Sequence, residues 1–187
     1  MKAVAAPRQQ VGLRSIFNLL GPLANPAGAT TQVLGVYDDR HTEKMARVLQ
    51  KLGTRQAFVV CGEQTLDEIS ICGPTRVSQL KDGSIETFDM TPEDYGIKRA
   101  APEAIKGGDA NQNAAVIRSI LDGQKGPQRD VVLLNAAAVF VSAGLDSGFK
   151  AGIQRACQAL DSGRAAEKLD ALVDFTRQCN VFVRRAM

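Results

Sequence analysis

Two neighbouring acidic residues, Asp67 and Glu68, are the first candidates for chemistry in this sequence. They follow an apolar run at residues 56–61 that is typical of a buried parallel strand, and open α/β sheets bind ligands beyond the carboxyl ends of such strands. Carboxylate oxygens are the hard ligands that Mg²⁺ prefers, and a bound Mg²⁺ keeps several waters and bridges to substrate phosphates. Adjacent acids in a loop are more often simply solvated, so the residue types alone leave both a metal site and a solvated loop open.

Other common catalytic and metal-binding patterns do not occur in the sequence. The four cysteines, Cys61, Cys72, Cys157 and Cys179, form no CxxC pair, and the single histidine is His41. A zinc site needs more ligands at closer spacing, and a Ser/His or Cys/His catalytic arrangement needs a partner for the histidine. We therefore expect free thiols in a reducing compartment rather than a zinc site or a nucleophilic triad.

The composition is that of an ordinary globular protein. The 187 residues are 44% hydrophobic and 23% charged, which argues against a disordered, collagen-like or coiled-coil chain. The formal net charge of +3 is small, the basic residues are scattered, and there are 7 Phe, 2 Tyr and no Trp. These features do not favour a nucleic-acid surface. The longest apolar stretch, residues 131–144, is too short to span a bilayer.

Hydrophobic periodicity places the acidic pair in an α/β arrangement. Residues 31–37 predict a strand, residues 41–52 predict a helix, and residues 56–61 predict the next strand. A strand, a helix and a strand of these lengths form a βαβ unit, in which the two strands are parallel. The acidic pair then follows the second strand of that unit.

The rest of the chain predicts a hairpin followed by helices. Residues 76–80 and 84–90 flank an Asp-Gly dipeptide, which is a strong hairpin signal. Residues 130–143 are apolar nearly all round and predict a buried helix. The remaining predictions are a helix over residues 9–20 that ends at Gly21-Pro22, a helical turn opened by Pro92, a helix capped by Asp109 that ends near Leu121, and amphipathic helices over 149–160 and 163–179.

Together these elements predict an α/β fold: a central, largely parallel sheet with an antiparallel hairpin, flanked by helices that gather in the C-terminal half. The predicted sheet is small for its helices. Two parallel strands and a hairpin offer little surface to a helix that must be buried on several sides, such as residues 130–143. Either the pattern hides further strands or part of the domain lies outside this chain.

The stretch GLRSIFNLLGPLANP at residues 12–26 resembles the signature of anthranilate phosphoribosyltransferases, which are enzymes of tryptophan biosynthesis in the glycosyltransferase and nucleoside phosphorylase-like family. Four further matches keep the family's order: QVLGVY at 32–37, TLDEIS at 65–70, GGDANQNA at 107–114 and VLLNAAA at 132–138. Five ordered matches over nearly the whole chain are far more specific than one short motif.

The resemblance implies a partial enzyme domain. Family members carry a small N-terminal helical domain, a GTGGD phosphate loop with its strand, and a K-x-GNR…SS stretch that binds 5-phosphoribosyl 1-pyrophosphate, and none of these motifs occurs here. The chain resembles the C-terminal half, a single partial α/β domain over residues 1–187, which agrees with the small predicted sheet. Gly107-Gly108-Asp109 looks like the end of GTGGD, but it opens an amphipathic helix, so we interpret Asp109 as a helix cap.

The same resemblance implies roles for four residues. Arg8 matches the family's arginine that contacts anthranilate, and a guanidinium suits the planar carboxylate of that acceptor. Gly21 matches a glycine whose backbone lies against the aromatic acceptor, where a Cβ would intrude. Asp67 and Glu68 match the pair that holds Mg²⁺ against the diphosphate. From residue type alone, a solvated Arg8 and a helix-ending Gly21 stay open. No residue matches a catalytic nucleophile.

The resemblance therefore implies a Mg²⁺-dependent transferase with two small-molecule substrates. It would move the phosphoribosyl group of 5-phosphoribosyl 1-pyrophosphate to the amine of anthranilate, giving N-(5-phosphoribosyl)anthranilate and diphosphate. The implied parent enzyme is a cytoplasmic homodimer with no nucleic-acid or membrane partner. The alternatives are a pyrimidine nucleoside phosphorylase-like enzyme, a non-catalytic nucleic-acid-binding homologue and a degenerate structural remnant. We expect the 187-residue chain alone to have little or no turnover.

Overall fold

A four-stranded sheet forms the centre of the computed structural model, which describes residues 17–63 and 66–185. The strands are β1 Thr31–Gly35, β2 Gln56–Gly62, β3 Thr75–Lys81 and β4 Ser84–Met90. They lie in the order β1-β2-β3-β4. β1 and β2 are parallel, whereas β3 is antiparallel to both β2 and β4.

Helices cover both faces of this sheet. In the described part of the chain they are α1 Phe17–Leu23, α2 Thr42–Lys51, α3 Ala110–Leu121, α4 Pro127–Ser142, α5 Phe149–Asp161 and α6 Arg164–Arg185. Short 3₁₀ helices at Asp39–His41, Pro92–Tyr95 and Pro102–Ile105 join some of these elements. Among the described residues, no helix combines the length and the apolar character that crossing a membrane requires.

β2 is buried on both faces because a layer of helices lies on each side of it. Phe58 and Val60 pack in one apolar core with Leu134 of α4. The alternating residue Val59 packs in the other core with Leu49 of α2. Side chains of a strand alternate between faces, so a strand covered on both sides must be apolar at every position. This explains the unbroken apolar run at residues 57–61.

The predicted α/β class, the hairpin and the flanking helices are confirmed. β1, α2 and β2 form the predicted parallel βαβ unit. In the turn between β3 and β4, Asp82 and Gly83 have φ values of 49° and 79°, which match the mirror-image turns that two-residue hairpins prefer. One feature differs from the prediction. The described sheet is mixed rather than largely parallel, because β3 turns back antiparallel onto β2.

The predicted end of the first helix is wrong. Gly21 and Pro22 do not terminate it, since α1 continues through both residues to Leu23. Pro22 has no N–H for the helical hydrogen-bond ladder, and α1 ends one residue after it. Leu23 packs against the apolar core beside α2, which favours the extra residue in helical form.

The prediction that residues 130–143 form a buried helix is confirmed on two faces of α4. One face of α4 packs on the sheet, and another face contacts α5 so closely that a Cβ on Gly152 would stand 2.9 Å from Ala137. The third face is open within the described part of the chain. There Val132 and Val139 are 41% and 50% exposed.

The predicted cap at Asp109 is confirmed. Its carboxylate accepts a hydrogen bond from the backbone N–H of Gln112 at 2.8 Å, and the Gln112 side chain accepts one from the Asp109 N–H at 2.9 Å. This reciprocal pair is a capping box, which satisfies backbone donors at a helix start. The Gly107-Gly108-Asp109 stretch therefore serves as the beginning of α3.

Arg129 links the start of α4 to the end of α5. Its side chain is only 2% exposed, and its Nη2 donates to the Asp161 carboxylate at 2.6 Å. Lys125 lies 3.3 Å from the same carboxylate. The hydrogen bonds from Arg129 and Lys125 hold the pKa of Asp161 below its ordinary value. A buried guanidinium needs its charge partner more than the exposed ion pairs of the surface do.

We predict that Asp161→Asn lowers the melting temperature at pH 7, because Arg129 then stays buried without a charge partner. A carboxylate with a lowered folded-state pKa stabilises the fold above its unfolded pKa and loses this effect as the pH falls through the folded pKa. The melting-temperature gap between wild type and variant is therefore expected to be full at pH 7 and to shrink toward about pH 3. Scanning calorimetry measures the gap, and a gap that stays constant over this range would contradict the assignment. Asp170→Asn, which removes the exposed pair with Arg118, is the control.

Candidate metal-binding site

The acidic pair lies in a loop that crosses the carboxyl ends of β1 and β2. The chain leaves β2 at Gly62, whose N–H donates to the Leu66 carbonyl at 2.7 Å. Asp67 and Glu68 follow Leu66 directly. The location agrees with the sequence-based expectation, because ligands of α/β sheets bind beyond the carboxyl ends of parallel strands.

Two glycines at the strand ends allow the loop to lie directly on the sheet. A Cβ at Gly35 would stand 1.7 Å from the backbone carbonyl oxygen of Asp67. A Cβ at Gly62 would stand 2.7 Å from the carbonyl oxygen of Glu68. Rotation of a side chain cannot relieve contacts this short with backbone atoms. Any larger residue at either position would push the loop away from the strands.

A side chain of α4 holds the loop from the other side. Oδ1 of Asn135 accepts a hydrogen bond from the Ile69 N–H at 2.9 Å, and Nδ2 donates to the Ile69 carbonyl at 2.9 Å. The same Nδ2 also donates to the carbonyl of Val131 at 3.0 Å. Ile69 is 1% exposed, so its backbone groups need protein partners. Asn135 supplies a partner for both.

The carboxylates of Asp67 and Glu68 are free to meet a ligand. Both residues are exposed, and within the described chain neither side chain makes a hydrogen bond or an ion pair. Both line a cavity of about 470 Å³. The rest of its lining is mainly apolar: Val33, Gly35, Val60, Val131, Val132, Asn135, Ala136 and Val139.

Further acids give this end of the sheet a negative field. Asp67 also lines a second cavity of about 450 Å³ that includes Glu63 and Lys106. Burial raises the pKa of the Cys61 thiol, and the charges of Asp39, Asp38 and Asp67 raise it further. A thiol pKa is raised by negative charge because its ionised form is disfavoured there. The same field favours a cation.

The acidic pair fits an Mg²⁺ ion that is shared with a ligand. Mg²⁺ is commonly held by one or two carboxylates, with waters and substrate phosphates supplying its other oxygens. Asp67 and Glu68 supply two such groups. No cluster of three or more His, Cys, Asp or Glu side chains among the described residues is arranged to hold a metal ion. A divalent cation at this loop would therefore need oxygens from its ligand.

The structure brings together two of the four predicted site residues. Asp67 and Glu68 share one cavity, whereas Gly21 lies exposed in α1. α1 packs through Leu19 and Leu23 on the apolar core opposite α4, and a Cβ at Gly21 would meet no described atom within 4 Å. Arg8 lies outside the described residues. The anthranilate contacts of Arg8 and Gly21 stay predictions.

The sequence analysis missed the residues that position the pair, namely Gly35, Gly62 and Asn135. A signal for Asn135 was present, because a polar residue in an otherwise apolar helix needs a hydrogen-bond partner. Its partner could not be found from the sequence, since Ile69 is 66 positions away. The two glycines carry no such signal, because their importance depends on which loop lies above them.

Comparison with known proteins identifies the family to which this chain belongs. Residues 1–166 match the model of the glycosyl transferase family, a/b domain, and the chain therefore belongs to this family. More particularly, it is similar to the anthranilate phosphoribosyltransferases of Desulfatibacillum aliphaticivorans and Syntrophobacter fumaroxidans, at 52% and 51% identity over 178 residues. These alignments cover 95% of this chain and 53% of each relative.

Solved structures agree with this assignment of the fold. Anthranilate phosphoribosyltransferase from Thermus thermophilus is 43% identical, with a TM-score of 0.87 over 95% of this chain and 52% of that one. The Saccharomyces cerevisiae enzyme in complex with PRPP and Mg is 27% identical, with a TM-score of 0.84 over 93% of this chain and 50% of that one. The chain thus spans about half the length of these relatives, and the resemblance seen in its motifs is confirmed.

We predict that Gly35→Ala displaces the acidic loop, because its Cβ would overlap the Asp67 carbonyl. Overpacking of this kind costs about 1–3 kcal/mol. Urea unfolding should show a loss of this size, and the amide NMR resonances of residues 66–70 should shift. Gly148→Ala is the matched control, since a Cβ there meets open space and its φ of −175° suits any residue. Wild-type stability with unchanged loop resonances in Gly35→Ala would show that the loop does not lie on Gly35.

Proposed function

We propose that this chain is the part of an anthranilate phosphoribosyltransferase that carries the metal-holding acidic loop. The observation behind the proposal is the pair Asp67 and Glu68. Their side chains line a cavity and make no hydrogen bond in the described chain. The backbone of their loop is held by contacts with Gly35, Gly62 and Asn135. The names of the relatives support the reaction, and the yeast complex with PRPP and Mg supports the combination of a divalent ion with a diphosphate ligand.

In this reaction the amine of anthranilate attacks C1 of the ribosyl group, and diphosphate leaves. When bound, Mg²⁺ supplies positive charge that stabilises the leaving diphosphate. Asp67 and Glu68 hold the ion through their carboxylate oxygens. Because the developing ribosyl cation needs no protein nucleophile, the remaining task of the chain is to orient the two substrates.

The proposal extends to the acceptor. Arg8 binds the carboxylate of anthranilate through its guanidinium, and the backbone at Gly21 lies against the aromatic ring. The yeast relative in complex with 4-fluoroanthranilate, which is 27% identical to this chain, supports an aromatic acid as a ligand. A cytoplasmic location and a homodimeric parent enzyme are parts of the same proposal.

We further propose that additional polypeptide completes the site. Val132 and Val139 leave an apolar strip of α4 exposed beside the cavity. β1 is an edge strand of uncharged residues, and no described strand pairs with its outer side. The relatives are about twice as long as this chain. Segments equivalent to their other half would cover both features and supply phosphate-binding loops.

The relatives favour this function over the alternatives raised by the sequence. Every relative named above is an anthranilate phosphoribosyltransferase rather than a nucleoside phosphorylase. A nucleic-acid-binding homologue would need a basic surface. Instead, acidic residues gather at the carboxyl end of the sheet.

We predict that the chain alone turns over anthranilate and 5-phosphoribosyl 1-pyrophosphate slowly or not at all. Joining it to the N-terminal half of the Desulfatibacillum aliphaticivorans relative, at the aligned position, should restore steady-state activity. The joined protein without one substrate is the blank. Full activity of the isolated chain would refute the need for further polypeptide, and a folded but inactive joined protein would refute the proposed function.

In the joined protein, we predict that replacing both acids, Asp67→Asn with Glu68→Gln, lowers kcat/KM by about 100-fold or more, because the charge that stabilises the leaving group is lost. Rates measured over a range of Mg²⁺ concentrations test this, since a weakened metal site is partly rescued by more metal. The control removes two exposed carboxylates of β4, Glu86→Gln with Asp89→Asn, and keeps activity within about twofold. If the variant with both acids replaced were as active as this control, Asp67 and Glu68 would not belong to the catalytic site.

A further inference from the structure

We infer that Asn135 is a positioning residue for the acidic pair, since its side chain holds the loop in the shape that directs both carboxylates into one cavity. The inference rests on the proposed function, because it takes the ligand of the pair to be a divalent cation. Asn135 acts on the geometry of the loop and needs no contact with the cation.

The side-chain amide of Asn135 is fully engaged and therefore fixed in orientation. Its oxygen accepts from the Ile69 N–H, and its nitrogen donates both to the Ile69 carbonyl and to the Val131 carbonyl one helical turn earlier. An amide nitrogen has two protons, so these two acceptors use its whole donor capacity. If the amide were flipped, its NH₂ group would face the Ile69 N–H, and its oxygen would face the two carbonyl oxygens. The Asn135 amide therefore has one favoured orientation between the helix and the loop.

The hydrogen bonds between Asn135 and Ile69 lie directly next to the acidic pair, so they restrict the backbone conformation of Asp67 and Glu68. Only Asp67 and Glu68 lie between Leu66 and Ile69. Leu66 is held by its bridge to Gly62, and Ile69 is held by Asn135. A two-residue segment fixed at both ends has few backbone conformations left. Release of Ile69 would free one end and let the two carboxylates point apart.

Asn135 lies between the apolar core and the cavity that contains the acidic pair. Ile69 packs in the same apolar core as Leu134, the neighbour of Asn135 on α4. Asn135 also lines the cavity that both acids face. Residues that hydrogen-bond to metal ligands change metal affinity by about 10–100-fold. Asn135 holds the backbone next to Glu68 rather than a ligand itself, so an effect at the lower end of this range is expected. An effect of this kind separates positioning from a general contribution to stability.

The experiment is a titration of the ¹⁵N-labelled 187-residue chain with manganese(II) chloride at a fixed concentration of inorganic diphosphate, which supplies the further oxygens that the ion needs, followed by NMR. Mn²⁺ takes similar oxygen ligands to Mg²⁺ and broadens the signals of nearby amides. The variants are Asn135→Ala and Asn135→Ser. The serine keeps a donor for the Val131 carbonyl, so the helix stays satisfied while the contact with Ile69 is lost. Ser142→Ala is the control, because it removes a side-chain hydrogen bond to Val139 within the same helix without touching the loop.

In the wild type we expect saturable broadening centred on the amides of Asp67 and Glu68. Both Asn135 variants should need about tenfold more Mn²⁺ for the same broadening, and the Ile69 amide should exchange faster with solvent. The control should match the wild type in both respects. Unchanged Mn²⁺ affinity in folded Asn135→Ser overturns the positioning role alone. A wild-type chain without broadening at the pair overturns the proposed metal role, and this inference with it.

Discussion

A contact between two backbones, at the end of β1, underlies the rest of the candidate site. The Asp67 carbonyl lies where a side chain on residue 35 would begin, so the loop can cross the strand ends only above a glycine. Neither backbone can give way by rotating a side chain. In the parallel ladder Gly35 lies opposite Val60, two residues before Gly62. The register of β1 and β2 therefore decides where the acidic pair stands.

The packing of α4 on the sheet also determines the position of the loop. The helix packs on the sheet through its apolar face and contacts α5 at Ala137, where only a glycine fits opposite. Arg129, bound to Asp161, fixes the beginning of the same helix. With the helix held at these points, Asn135 reaches Ile69 at hydrogen-bond distance. Packing far from the acids thus contributes to their geometry.

Local features of the fold could be predicted from the sequence, while features that join distant segments could not. The apolar run of β2, the Asp82-Gly83 turn and the Asp109 cap depend on neighbouring residues, and all three are confirmed. The continuation of α1 through Pro22 and the exposed face of α4 depend on what packs against them, and the sequence predicted neither. The acidic pair was identified through its motif. The residues that hold it were not, because Asn135 acquires its role only when α4 meets the loop.

The central claim is that Asp67 and Glu68 jointly hold a divalent cation at the carboxyl end of the parallel strands. Anomalous diffraction tests it most directly, with crystals of the joined protein grown in manganese(II) chloride and inorganic diphosphate. We predict an anomalous peak within coordinating distance, about 2–2.5 Å, of a carboxylate oxygen from each residue, with diphosphate oxygens on the same ion. A bound diphosphate whose manganese ion lies away from both carboxylates would contradict the claim.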